Sequence, residues 1–260
     1  MARVPLDSTR LQERLDARWS RIEVVDSTAS TNAELLADST APDRSVLVAE
    51  DQVAGRGRFD RSWTSPPRAG LTFSVLLRPP VPVPSWGWLP LLAGVAMREA
   101  VDSVTGIDTA LKWPNDLLAG DGRKLAGILA QTAGTAVVIG IGLNVDTAED
   151  ELPVDTATSV LLAGAADVDR TALLIAILNR LDARYAQWGD CGGDAAAAGL
   201  PEAYRVVCAT LGRAVRVTLS DDTVLIGQAT DVDDLGRLVV RTPAGERAVS
   251  AGDVEHVRSA

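Results

Sequence analysis

The sequence predicts a mixed α/β domain over residues 1–210 followed by a small all-β module over residues 211–260. Three observations predict it. Compact apolar runs of strand length alternate with amphipathic helical stretches as far as about residue 210. After Leu211 the pattern changes to short alternating runs, divided by turns rich in Asp and Gly. The chain has 260 residues, 47% of them hydrophobic and 23% charged, enough for one large core and a small second unit.

The elements follow in order. Residues 9–19 read as a helix, with Thr9 and Gln12 as a capping box and Leu11, Leu15 and Trp19 on one face. Residues 21–26 read as a strand and 27–31 as a polar turn. Thr31 and Glu34 offer a second capping box for a helix over 32–38. An apolar strand over 45–50 leads into a loop over 51–63, and 71–77 is a strand ended by Pro79 and Pro80. A long helix spans 85–104, with Leu89, Leu92, Ala93, Ala96, Ala100 and Val101 at helical spacing. Three strands follow, at 110–113, 124–132 and 135–145, separated by turn signals at 119–122 and at Ala133-Gly134. Residues 170–188 carry Leu174, Leu178, Leu181, Tyr185 and Trp188 on one stripe. Residues 194–210 read as helical with an interruption at 199–201. The closing module has strands at 214–219, 224–229, 237–240 and 248–249, the pattern of a small barrel.

Charge and composition narrow the function. A formal net charge of −10 opposes loose binding to nucleic acid, which needs a basic surface. Two cysteines, Cys191 and Cys208, make no disulfide framework and lack metal-ligand spacing. The one histidine, His256, lies near the C-terminus, so a histidine triad or a zinc site is excluded as the engine of any chemistry. The first residues hold no apolar run, and no stretch approaches the ~20 apolar residues of a spanning helix, so a cytoplasmic protein is expected.

Four segments carry the chemistry. In Gly55-Arg56-Gly57-Arg58-Phe59-Asp60-Arg61-Ser62-Trp63, glycines alternate with arginines directly after a strand. Glycine permits close backbone approach and arginine presents a planar fork to carboxylates and phosphates. Three arginines in one loop repel each other until an anion arrives, so the loop is expected to order on a ligand; the competing reading is a solvated surface loop. Lys112-Trp113-Pro114-Asn115-Asp116 places two polar side chains on a turn after a strand, which by itself is only a turn. Lys124 opens an apolar strand and reads either as a cation for a carboxylate or phosphoryl oxygen or as a lysine whose stem packs while its head reaches water. Gly140 and Gly142 lie inside a strand, ahead of Asn144, and mark either a ligand or close sheet packing.

Their order along the chain is more specific than any one of them. Ser30-Thr31-Asn32, then Gln52 with Gly55 to Arg58, then Lys112 to Asp116, then Lys124-Leu125-Ala126-Gly127-Ile128, then Gly140 to Asn144 resembles biotin–protein ligase. The resemblance is close over about residues 20–150 and looser around 231–240. It implies a catalytic domain related to class II aminoacyl-tRNA synthetases and an SH3-like C-terminal domain. It implies that biotin and ATP, the latter as its Mg2+ complex, are substrates with no resident metal. The product is biotinyl-5′-adenylate, whose acyl group goes to a lysine of a biotin carboxyl carrier protein, an acyl-CoA carboxylase subunit.

The resemblance also implies roles. Lys124 and Arg58 are the catalytic pair. Ser30, Thr31, Asn32, Gln52, Arg56, Gly57, Arg58, Lys124 and Gly127 surround biotin, and Arg61, Trp63, Lys112, Asn115, Asp116 and Asn144 surround ATP and the adenylate. Asp116 either holds Lys124 or helps place magnesium. Two positions depart from the family pattern: Asp60 where glycine is frequent, which adds a negative charge beside the loop, and Gln131 where glutamate is frequent, which removes an acid. The related lipoate ligases would show an Arg-Arg-x-Ser-Gly-Gly-Gly run that is not in the sequence. A ligase that also represses transcription needs a winged-helix domain that the roughly twenty residues before the first strand do not provide. A module that only binds biotin or a peptide is separated from the enzyme by pyrophosphate release. No nucleic acid and no membrane partner is expected, and the protein is read as a monomer or weak homodimer.

Overall fold

The computed structural model of the protein describes residues 3–15, 17–59 and 61–257. Asp60, one of the two departures from the family pattern, lies outside them.

A seven-stranded sheet organises the first two hundred residues. Its strands are β1 (Arg21–Val25), β2 (Ser45–Ala49), β5 (Gly70–Leu77), β6 (Thr109–Lys112), β7 (Asp116–Ala119), β8 (Lys124–Ala133) and β9 (Ala136–Asn144). They lie in the order β1-β2-β5-β9-β8-β7-β6. Only the β1–β2 pair is parallel; every other neighbour is antiparallel. Between β2 and β5 the chain makes a small separate hairpin, β3 (Gly55–Arg56) with β4 (Ser62–Trp63).

Alternation along the strands divides the sheet into two different faces. Val46 and Val48 of β2, Leu71, Phe73, Val75 and Leu77 of β5, and Val137, Ile139, Ile141 and Leu143 of β9 belong to the main core. That core is closed by α1 (Ser8–Leu15), α3 (Leu89–Thr105) and α4 (Arg170–Asp190). The alternate residues point the other way. Leu47, Leu76, Ala136 and Val138 pack with Leu35 of the short helix α2 (Thr31–Ala37) in a second, smaller cluster. Further along the same face stand Thr72, Ser74, Gly140 and Gly142, small or polar residues that leave the sheet uncovered by apolar packing there. A strand buried on both faces reads as one continuous apolar run, which is how β9 appears in the sequence.

A helix α5 (Leu200–Arg205) leads to the closing module. That module is a five-stranded antiparallel sheet of β10 (Ala214–Thr218), β11 (Val224–Val232), β12 (Leu238–Thr242), β13 (Gly245–Val249) and β14 (Asp253–His256), in the order β13-β12-β11-β10-β14. It is fastened to the larger sheet by tryptophans: the Trp88 indole N–H donates to the Asp234 carbonyl at 2.8 Å, and that of Trp113 to the Gly236 carbonyl at 3.1 Å. Val215, Val217 and Val240 join the main core.

Several local expectations are corrected. Asp7, not Thr9, caps α1: its Oδ1 accepts the Arg10 N–H at 2.9 Å, and Trp19 is buried beyond the end of the helix. Ser30, not Thr31, caps α2, and Glu34 bonds the Thr28 hydroxyl instead of completing a box. The first turn of the expected helix at 85–104 is a 3-10 segment, Val83–Trp88, and α3 begins at Leu89. Of residues 194–210 only Leu200–Arg205 is helical. The interruption is the helix start: Gly199, with φ 67°, is its N-cap and Pro201 sits in the first turn. The strands β7 and β14 had no counterpart in the sequence reading. Each has four residues; β7 starts on the turn residue Asp116 and β14 alternates Asp253, Val254, Glu255 and His256 with a single apolar residue, so neither shows an apolar run of strand length.

His256 ends β14 half-buried, with Nε2 3.2 Å from Thr210 Oγ1. Burial, with the nearby charges of Lys112 and Arg213, lowers its pKa from 6.5 to about 4. The unfolded chain therefore takes up a proton near pH 6.5 that the folded chain refuses until about pH 4. His256 stabilises the fold fully above that window, and its contribution is lost as the pH falls through it. Thermal melting of the wild type and His256→Asn from pH 7.5 to 4.5 is expected to show a gap between the two that closes on acidification. A pH-independent gap would remove His256 from the acid response.

Candidate active site

The uncovered end of the sheet, α2 and the β3–β4 hairpin enclose a cavity of about 820 Å³, part of it open to solvent. A concave site with a few convergent polar groups on otherwise apolar walls is the kind that takes a small organic molecule. Around it stand Ser30, Thr31, Asn32, Gln52, Arg56, Gly57, Arg58, Arg61, Trp63, Asn115, Asp116, Lys124 and Gly127. The residues singled out in five separate segments of the sequence thus meet in one place, with two exceptions. Asn144, at the end of β9, is buried off the cavity and donates to the Thr158 carbonyl at 3.0 Å. Lys112, on the edge strand β6, also stands off the lining, near enough to His256 for its charge to be felt there.

Each polar group is placed by identifiable structure. Thr31 opens α2, and its N–H donates to Gln52 Oε1 at 2.9 Å. That contact, with the bridge between residues 28 and 52, ties the start of the helix to the root of the glycine-arginine loop. The loop is a hairpin rather than an open coil. Arg56 lies opposite Ser62 and Gly55 opposite Trp63. Arg61 reaches across to form a two-pronged ion pair with Asp253 of β14. Among the described residues, Asp253 is the closing module's contribution to the lining, and nothing in its sequence surroundings pointed to it.

The two strand glycines, 140 and 142, receive side chains. A Cβ at Gly142 would fall 2.2 Å from the Trp63 indole, and one at Gly140 would fall 2.1 Å from Asn32 Oδ1. The close approach that strand glycines signal is here made by Trp63 and Asn32, both of which line the cavity.

The charged groups are arranged for an anionic ligand. Lys124 Nζ is 2.6 Å from Asp116 Oδ1 and 5.9 Å from the centre of the Trp63 ring. Asp116 thus stands against Lys124 in the free protein. Asn115 is held by its own amide, which donates to the Ile128 carbonyl at 2.9 Å. Arg58 is partly buried; loss of water lowers its guanidinium pKa, and Asp116 and Asp253 work against that shift. A desolvated guanidinium gains more from an arriving anion than a hydrated one. Among the described residues, no group of three or more His, Cys, Asp or Glu side chains is placed to hold a metal ion. No helix among them is long and apolar enough to cross a membrane.

Comparison with known proteins agrees with this geometry. Residues 21–146 match the model of the biotin/lipoate A/B protein ligase family, and residues 210–257 that of the biotin protein ligase C terminal domain. The chain is 43% identical to the biotin–[acetyl-CoA-carboxylase] ligase of Mycobacterium tuberculosis, over 98% of this chain and 97% of that one. It is 34% identical to the bifunctional ligase/repressor BirA of Bacillus subtilis, over 90% of this chain and 72% of that one. Among solved structures, the biotin protein ligase of Aquifex aeolicus in complex with biotin and ATP superposes with a TM-score of 0.78 at 26% identity, covering 93% of this chain and 100% of that one. The mixed α/β core and the antiparallel C-terminal sheet are therefore parts of one known architecture: the chain belongs to the biotin protein ligase family.

Proposed function

We propose that the protein joins biotin to ATP as biotinyl-5′-adenylate and transfers the biotinyl group to one lysine of a biotin carboxyl carrier protein. The observation that carries this reading is the meeting of four cations, Arg56, Arg58, Arg61 and Lys124, with the polar set Ser30, Thr31, Asn32 and Gln52 in a single cavity. The first step brings two anions together: a carboxylate oxygen attacks the α-phosphorus of MgATP, the bond to the bridging oxygen breaks, and pyrophosphate leaves. Its barrier falls by charge neutralisation and alignment, which fixed cations in a partly desolvated site provide.

Lys124 and Arg58 act at the reacting carboxylate and α-phosphoryl oxygens. Ser30, Thr31, Asn32 and Gln52 hold the head group, Gly127 stands beside biotin, and Arg56 and Gly57 line the biotin carboxylate and the ATP phosphates. Arg61, Trp63, Asn115 and Asp116 belong to the nucleotide end. Lys112 and Asn144 support that end from outside the lining, Asn144 by fixing the segment at Thr158. In the second step the carrier's lysine amine attacks the acyl carbon and AMP leaves. Residues 1–210 form the substrate-binding unit, and residues 211–260 a module that reaches the loop through Asp253. The protein acts in the cytoplasm, as a monomer or weak homodimer, without nucleic acid or membrane partners.

The test is incubation with biotin, MgATP and a carrier domain, followed by mass measurement of that domain. A gain of one biotinyl group on one lysine is expected, with pyrophosphate release that requires biotin and is not supported by lipoate. Pyrophosphate release independent of biotin, or an unmodified carrier, would sink the reading.

A further inference from the structure

Behind the cavity lining runs a chain of hydrogen bonds through a residue that does not face the cavity. Ser74 of β5 is fully buried, on the α2 side of the sheet. Its Oγ lies 2.7 Å from Thr31 Oγ1 and 2.6 Å from Asn32 Oδ1. Asn32 Nδ2 donates to the Leu129 carbonyl at 3.2 Å and to Gln131 Oε1 at 2.8 Å.

The direction of every bond follows from one of them. A carbonyl oxygen only accepts, so the amide nitrogen of Asn32 must face Leu129. Its oxygen then faces Ser74 and takes the serine proton. Ser74 has no second proton, so in the 2.7 Å contact Thr31 is the donor. The Thr31 hydroxyl has then used its only proton and keeps lone pairs alone. Gln52 Oε1, the competing acceptor for that proton, lies farther off at 3.2 Å and already accepts the Thr31 N–H. Gly140 belongs to the same device: a Cβ there would occupy the place of Asn32 Oδ1, at 2.1 Å.

We propose that Ser74 is a positioning residue that turns the Thr31–Asn32 end of the cavity into a set of acceptors, and so selects a ligand that brings N–H donors. The proposal rests on the reading of the cavity as the biotin site, where the cyclic urea carries two N–H groups. A dithiolane or hydrocarbon end carries none and would leave the remaining lone pairs of Thr31 Oγ1, Gln52 Oε1 and Asn32 Oδ1 without a donor. A site built to receive donors discriminates far more steeply in this way than by shape alone. Gln131, the neutral residue at a position where the family often has glutamate, closes the chain by accepting from Asn32.

The experiment compares kcat/KM for biotin with that for two analogues, each with one ureido N–H replaced by CH2. The wild type is expected to favour biotin by at least about a hundredfold. In Ser74→Ala the Thr31 hydroxyl is free to turn its proton toward the ligand, and Asn32 loses its fixed donor. The preference should fall below about tenfold, with KM for biotin raised about tenfold and KM for ATP unmoved. A merely structural role would lower activity on all three substrates and keep the ratio. A preference that stays at the wild-type value in Ser74→Ala, whatever the overall activity, overturns the proposal. If Ser74→Ala does not fold, Ser74→Cys, of similar volume but far weaker as donor and acceptor, is read in the same way. Thr31→Val separates the proposal from the reading beneath it. Loss of preference in Thr31→Val with retention in Ser74→Ala refutes the role of Ser74 alone. A wild type that does not distinguish biotin from the analogues refutes the assignment of the head group itself.

Discussion

Replacing Lys124 with alanine should slow biotinyl-adenylate formation by about two to three orders of magnitude while the protein stays folded. The lysine begins β8, and its backbone is pinned on both sides: its N–H donates to the Thr156 carbonyl and its own carbonyl accepts the Thr158 N–H, each at 2.8 Å. The side chain is therefore launched from a fixed point. In the free protein its ammonium rests on Asp116 and near Trp63, with its side chain 36% exposed and that of Asp116 18% exposed. A cation held this way is preorganised for the reacting carboxylate and phosphoryl oxygen. It gains most where their charges crowd together, in the transition state. Removal of one such contact costs roughly 3–4 kcal/mol at the barrier. The cost to folding is far smaller, about 1 kcal/mol or less, because the pair with Asp116 is partly solvated. Lys124→Arg should recover little, since a planar fork does not occupy the place of a compact ammonium. Single-turnover adenylate formation at saturating biotin and ATP measures the first effect and thermal melting the second. Retention of more than about a third of the wild-type rate, a barrier change below 1 kcal/mol, would make Lys124 a surface lysine after all.

The largest effect on stability is expected at Arg170, far from any motif. It is the first residue of α4, and its side chain passes into the core with 8% exposure to meet Glu50, at 4%, across 2.8 Å. The same guanidinium donates to the Gly70 carbonyl at 2.9 Å and to the Val4 carbonyl at 2.7 Å, while Glu50 also accepts the Leu6 N–H. One ion pair thus joins the N-terminal segment, the end of β2, the start of β5 and α4. Breaking a buried pair from one side leaves an uncompensated charge, which costs about 3–5 kcal/mol. For a chain of this size Arg170→Met should lower the melting temperature by roughly 8–15 °C. Adding Glu50→Gln should return part of the loss, because the stranded carboxylate is then gone. A change of under about 1 kcal/mol in urea unfolding would contradict this account. Glu50 also immediately precedes the segment that leads into the glycine-arginine loop, so the double variant separates loss of fold from loss of the loop's foundation.

The sequence determined what local chemistry can write. Periodicity marked the long helix before residue 106, the helix after residue 169 and the apolar strands between them, because the spacing of buried positions is a property of the segment itself. The change in pattern after Leu211 marked the closing module. The glycine-arginine loop, the Lys-Trp-Pro-Asn-Asp turn and Lys124 were legible because anion recognition needs those residue types at short spacing. The short strands β7 and β14 were not legible, nor was the choice between adjacent hydroxyls as helix caps. Ser30 and Thr31 have equal local claims, and the contest is decided by Ser74 and Gln52, which draw Thr31 elsewhere.

Only the tertiary structure decided the rest, since it brings together residues whose spacing along the chain carries no signal. It set Asn32 over Gly140 and Trp63 over Gly142, where the sequence left ligand and packing as equal explanations of the glycines. It put Asp253 beside Arg61, 192 positions away. It placed Asn144, by its motif a ligand-site residue, off the cavity and against Thr158. It sent the charged first residue of an amphipathic helix inward, because Glu50 was already buried there and a lone carboxylate could not remain so. A hydrogen bond or an ion pair is chosen by the geometry of its partner, and that partner is named only when the chain has folded.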